Sequence, residues 1–177
     1  MNNKIVIEDY NPAWPQVFNE LKLTIETAIP DLFLSIEHVG STSVPGLSAK
    51  PIIDLDIVIE DSELLLLVSK NLEKLGYYHE GNLGIEDREA FARSDEFVPW
   101  IENKRVWMEH HLYVCIKESG ELKRHLAFRN YLRENPKAIE DYGLLKRKLA
   151  ASEKDRIAYT AGKGDFINSI LRSILKD

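Results

Sequence analysis

The sequence predicts an α+β fold: a small mixed sheet backed by helices, with a C-terminal helical segment closing one side. Short strand patterns alternate with helical ones through the first half. Two apolar strand patterns, residues 34–39 and 52–59, stand close together and carry the densest motifs of the chain. From Glu121 onward the periodicity is helical.

Taken in order, residues 4–7 read as a short strand. Asn11 caps a helix with Pro12 at its first position, and Trp14, Val17, Phe18, Leu21 and Ile25 recur at helical spacing. After the two motif strands, Asp61 and Ser62 open a second helix that runs through Leu75 and ends at Gly76. Residues 77–79 and 86–93 read as strands around a turn from Gly81 to Gly84. Residues 94–108 are polar and aromatic, a loop or lid whose Trp100 and Trp107 are expected to be exposed, marking a partner surface or ordering over ligand. Residues 111–117 form the clearest later strand. Helices follow at 121–134, closed by Pro136, at 136–151, and at about 153–175, where Gly162 and Gly164 are weak points. Trp14, Phe18, Phe128 and Phe166 are expected in the core.

A chain of 177 residues suits one domain, here residues 1–177, with a real core. Its 44% hydrophobic and 29% charged residues are those of a soluble globular protein. A net charge of −6 disfavours nucleic acid and anionic membrane as partners. No apolar run approaches the roughly 20 residues needed to span a bilayer. The N-terminus lacks an export pattern, and the single Cys115 excludes an intrachain disulfide; both fit a cytoplasmic protein.

The chemistry concentrates in His38-Val39-Gly40-Ser41-Thr42-Ser43 and, about a dozen residues on, Ile53-Asp54-Leu55-Asp56-Ile57. Gly40 lacks a Cβ, so a phosphate can approach its backbone, and Ser41 or Thr42 can donate to it. Read alone, such a run is a tight turn that satisfies its own backbone. Asp54 and Asp56 alternate with isoleucine and leucine, so both carboxylates point to one face. Two like charges on one strand face are costly without a counter-ion, unless that face is simply solvated. A divalent cation would relieve the repulsion and hold phosphate oxygens.

Gly-Ser followed by Asp-apolar-Asp resembles the nucleotidyltransferase superfamily of polymerase-β-like fold. Over nearly its whole length the chain resembles the GrpB family of predicted nucleotidyltransferases. The matching residues are Tyr10 to Pro15, Ile36 to Leu47, Ala49 to Asp54, His110-His111-Leu112, His125 to Arg133, and Tyr159-Thr160 with Lys163. The resemblance implies a nucleotidyltransferase-like sheet and Mg²⁺-dependent transfer, with Mn²⁺ as the other candidate ion. Asp54 and Asp56 would hold the metal, while Gly40 and Ser41 hold the triphosphate and a hydroxyl acceptor attacks. The superfamily's third carboxylate is missing. Glu109, at the start of the 111–117 strand and on the face of His111 and Tyr113, is the one carboxylate near that place. His111 is the other candidate for base or ligand there, and Tyr113 departs from the histidine the family pattern favours.

Lys50, Arg88, Arg93, Arg129 and Lys163 are candidate phosphate ligands beside Gly40, Ser41 and Thr42. Arg88 and Arg93 fall on opposite faces of a regular strand, whereas Arg129 sits in an aromatic patch. His110 reads as a core-edge residue and His38 as a brace for the turn; His79 and His125 carry no signal. Three functions follow: nucleotidyl transfer from a nucleoside triphosphate to a small-molecule or macromolecular hydroxyl, a non-catalytic nucleotide-binding or chaperoning module, or a metal-dependent phosphohydrolase using the His111 region.

Overall fold

In the computed structural model, which describes residues 5–152 and 156–175, alternation along one strand sorts the molecule into two layers. That strand is β2 (Ile53–Ile59), central in a five-stranded sheet with β1 (Ser35–Val39), β3 (Tyr77–Gly81), β4 (Arg88–Arg93) and β5 (His110–Ile116). The order is β1-β2-β5-β4-β3. Only β2 and β5 pair in parallel; the other neighbours are antiparallel, so the sheet is mixed.

Ile53, Leu55, Ile57 and Ile59 point to one face and pack with Leu112 and Val114 against two helices. Helix α1 (Trp14–Ala28) contributes Trp14, Phe18, Leu21 and Ile25, and α2 (Leu65–Lys74) contributes Val68 and Leu72. Burial of these side chains is the main drive for this layer. The opposite face carries Asp54, Asp56, His111, Tyr113 and Arg88. It is overlaid by the C-terminal helices α3 (Gly120–Glu134), α4 (Pro136–Ser152), α5 (Arg156–Gly162) and α6 (Gly164–Ile174). A second apolar cluster of Val44, Leu47, Leu132 and Tyr142, with Phe128 and Phe166 against it, fastens those helices to the loop between β1 and β2.

Four details differ from the sequence reading. No strand forms at residues 5–7, and Lys4 lies outside the described residues; the segment makes a single bridge between Glu8 and Ala49. Helix α1 starts at Trp14 because Asn11 bends the chain ahead of it, its Oδ1 accepting from the Ala13 amide at 2.9 Å. The 94–108 segment is not a lid, since Trp107 is buried in the main core and donates its indole N–H to the Pro99 carbonyl. Trp100 is half exposed, but no residue of the segment lines the main cavity described below. The last helical stretch is broken at Lys163, between Gly162 and Gly164. No helix among the described residues is long and apolar enough to cross a membrane.

Candidate functional site

Strand register sets the site. Asp54 lies beside Val39 on β1 and His111 on β5, and Asp56 lies beside Glu37 and Tyr113. Arg88 faces Cys115 across the β4–β5 ladder and so joins the same face. The turn between β1 and β2 closes the end of this row. Gly40 adopts φ +69°, and a Cβ there would overlap the Asp54 carboxylate, so only glycine lets the turn seat against that side chain. The turn is internally wired: Ser43 Oγ donates to the Gly40 carbonyl at 2.6 Å, and Arg133 donates twice to the Ser43 carbonyl. Thr42 Oγ1 donates to the Ile52 carbonyl and bonds His38 Nε2 at 3.0 Å. His38 stacks on Phe18, and burial lowers its imidazolium to about 4, so it is a neutral brace.

Above this row is a cavity of about 430 Å³, within the usual size range of ligand sites. Gly40, Ser41, Lys50, Asp54, Arg88, His111 and Lys163, all named from the sequence, line it together. Among the described residues its wall carries four Lys or Arg side chains (Lys50, Arg88, Lys146 and Lys163) against one carboxylate, Asp54. Arg88 is buried with its guanidinium 4.3 Å from the Tyr113 ring, and among the described residues its Nε finds no hydrogen-bond acceptor. Lys50 and Lys163 both sit over the Tyr159 ring. Asp54 accepts from His111 Nδ1 at 2.8 Å, which orients that imidazole. Such a wall attracts a polyanion.

The remaining candidates are placed elsewhere. Thr42 is buried within the turn and lines neither this cavity nor its neighbour. Arg129 reaches back to Glu37 and the His38 carbonyl and lines an adjoining cavity of about 290 Å³ between the turn, α3 and α6. Glu109 and Arg93 line a third cavity of about 260 Å³ along β4 and β5, which neither Asp54 nor Asp56 lines. His110 is a core residue as read: its Nδ1 donates to the Met108 carbonyl, its Nε2 accepts from Tyr77 Oη, and burial lowers it to about 4.

Asp56 differs most from the sequence reading. Its side chain has 0% exposure, and Oδ2 lies 2.6 Å from His125 Nδ1. His125 Nε2 in turn faces Glu121 Oε1 at 3.3 Å. Burial alone would lower the His125 imidazolium, but the bonds to Asp56 and Glu121 outweigh it and raise it to about 9. Burial pushes the Asp56 carboxyl up, opposed by His125. A Mg²⁺ ion held by both aspartates needs two carboxylates open to one cavity, with room for waters and phosphate oxygens. Here Asp54 alone opens to the cavity, and Asp56 is sealed beneath His125. The two-carboxylate site does not form, and among the described residues no three His, Cys, Asp or Glu side chains gather for a metal. The donors do not fit the ion.

Lys146 and His125 also line the cavity and were not singled out in the sequence. His125 stands four residues after Glu121 on one helix face, a spacing that pairs the two. Lys146 is buried to 1% exposure, donates to the Ser48 carbonyl, and lies over the Tyr142 ring. Burial, with Lys163 and Arg147 nearby, lowers its ammonium to about 7.

The model of the GrpB protein family matches residues 4–173. The chain belongs to the GrpB family. It is 36% identical to the UPF0157 protein of Halalkalibacterium halodurans, covering 99% of this chain and 83% of that one. It is 34% identical to the UPF0157 protein YqkA of Bacillus subtilis, covering 94% of this chain but spanning only 46% of the relative. Among solved structures, that of the conserved protein GrpB from Enterococcus faecalis is similar at TM-score 0.81 and 36% identity, covering 97% of this chain and 98% of that one. A Cid1 poly(U) polymerase structure with MgGTP bound is similar at TM-score 0.51 and 14% identity, covering 79% of this chain and 43% of that one. That likeness places the GrpB chain in the nucleotidyltransferase-like fold.

Proposed function

We propose that this GrpB protein binds a nucleoside triphosphate in the 430 Å³ cavity and transfers its nucleotidyl group to a hydroxyl acceptor. The supporting observation is the convergence of the Gly40–Ser41 turn, Asp54, His111 and four cationic side chains on one cavity. The Gly40–Ser41 turn and the lysines hold the phosphates, as guanidinium and ammonium groups suit phosphate oxygens. His111, oriented by Asp54, takes the acceptor's proton as its oxygen bonds the α-phosphorus. The bond from that phosphorus to the bridging oxygen breaks, and pyrophosphate leaves with its electron pair. Lys146, poised near neutrality, returns a proton to it.

A second reading has its own support. The enclosure of Asp56 favours a nucleotide-binding module of the same fold without turnover. Pyrophosphate release from a panel of nucleoside triphosphates, with small-molecule alcohols as acceptors, separates the two. Transfer predicts release that disappears in Asp54→Asn. A binding module predicts a raised melting temperature with nucleotide and no release.

A further inference from the structure

We infer that His125 fills the place beside Asp56 that the family resemblance gives to a divalent cation, so that the cavity holds polyphosphate with the chain's own cations and no resident metal ion. From the nucleotide reading this inference takes only the polyphosphate character of the ligand.

His125 faces Asp56 Oδ2 at 2.6 Å with one ring nitrogen and Glu121 Oε1 at 3.3 Å with the other, so the imidazolium form directs an N–H at each carboxylate. It supplies between two carboxylates the positive charge a metal would supply. Asp56 Oδ2 is 2.6 Å from the ring and its side chain is fully buried, so an ion bound at Oδ2 takes the place of His125. Asp54 is committed on one oxygen to His111 and is packed against Gly40 on the other. Lys50, Arg88, Lys146 and Lys163 surround the same space and repel a dication. A bound triphosphate meets the reverse: charge complementarity on several sides and no need to strip water from Mg²⁺, which dehydrates reluctantly.

The test uses the intact protein and two probes. Mn²⁺ titration followed by electron paramagnetic resonance is expected to find no site tighter than about 1 mM in the wild type. His125→Ala and His125→Gln each free Asp56 and Glu121 and are expected to tighten Mn²⁺ by about tenfold or more. Micromolar Mn²⁺ binding by the wild type that is lost in Asp56→Asn overturns the inference, as does a folded His125 variant that gains no Mn²⁺. If both variants fail to fold, the wild-type titration decides. Calorimetry with inorganic tripolyphosphate supplies the second arm: affinity in EDTA is expected to equal or exceed that in excess Mg²⁺. A tightening of about tenfold by Mg²⁺ contradicts it. Tripolyphosphate that binds under neither condition removes the nucleotide reading, and the Mn²⁺ arm still decides the role of His125.

Discussion

Gly40 and Asp54 occupy one another's space: the carboxylate lies where a side chain on residue 40 would begin. With φ at +69°, the turn is also in a region that other residues enter at a cost. Gly40→Ala is expected to destabilise the fold by about 1–3 kcal/mol. It also pushes Asp54 off His111, so nucleotide binding falls more than the lost stability explains. Urea unfolding and a binding isotherm on the same variant check both parts.

Lys146 sets a pH dependence whose sign follows from burial. Its folded ammonium titrates near 7, against roughly 10.4 in the unfolded chain. Between those values the unfolded state binds the extra proton, so its contribution makes the fold gain stability as pH rises and lose it as pH falls toward 7. Lys146→Met removes this slope and is expected to be more stable than wild type at pH 6, a difference that shrinks toward pH 10. Melting curves of both proteins across that range measure it.

His125 has the opposite sign. Its folded imidazolium persists to about 9, against roughly 6.5 when unfolded, so its contribution is fully present below the lower value and is lost as pH passes the higher. The stability difference between wild type and His125→Gln is expected to narrow from pH 6 to pH 10. A constant difference contradicts the ion pair with Asp56 and Glu121.

Trp107 is a core residue of the otherwise irregular 94–108 segment, packed in the main cluster and bonded to the Pro99 carbonyl. Trp107→Ala is expected to cost about 3–5 kcal/mol. Trp100→Ala, at a half-exposed position, costs less. Denaturant midpoints rank the two.

What was legible in the sequence was local. Alternation along Ile53–Ile59 sorted Asp54 and Asp56 from the core, and the glycine turn announced itself by composition. Contacts that cross the chain were not legible. His125 reaches Asp56 across 69 positions, and Lys146 reaches Ser48 across 98, distances over which no periodicity speaks. Lys146 shares its buried helix face with Tyr142 and Gly143, and nothing in the local pattern marks that face as buried. Trp107 misled because it stands in an aperiodic stretch with Glu102, Lys104, Arg105 and Glu109 around it, while its own ring packs in the main core.

Calorimetric titration of nucleoside triphosphate into wild type, Lys146→Met and Lys163→Ala measures whether the cavity binds a nucleotide through its lysines. One site per chain is expected in the wild type, weakened about tenfold or more in each variant as a phosphate partner is removed. Equal affinity in all three proteins, or no heat with any nucleoside triphosphate, contradicts the account.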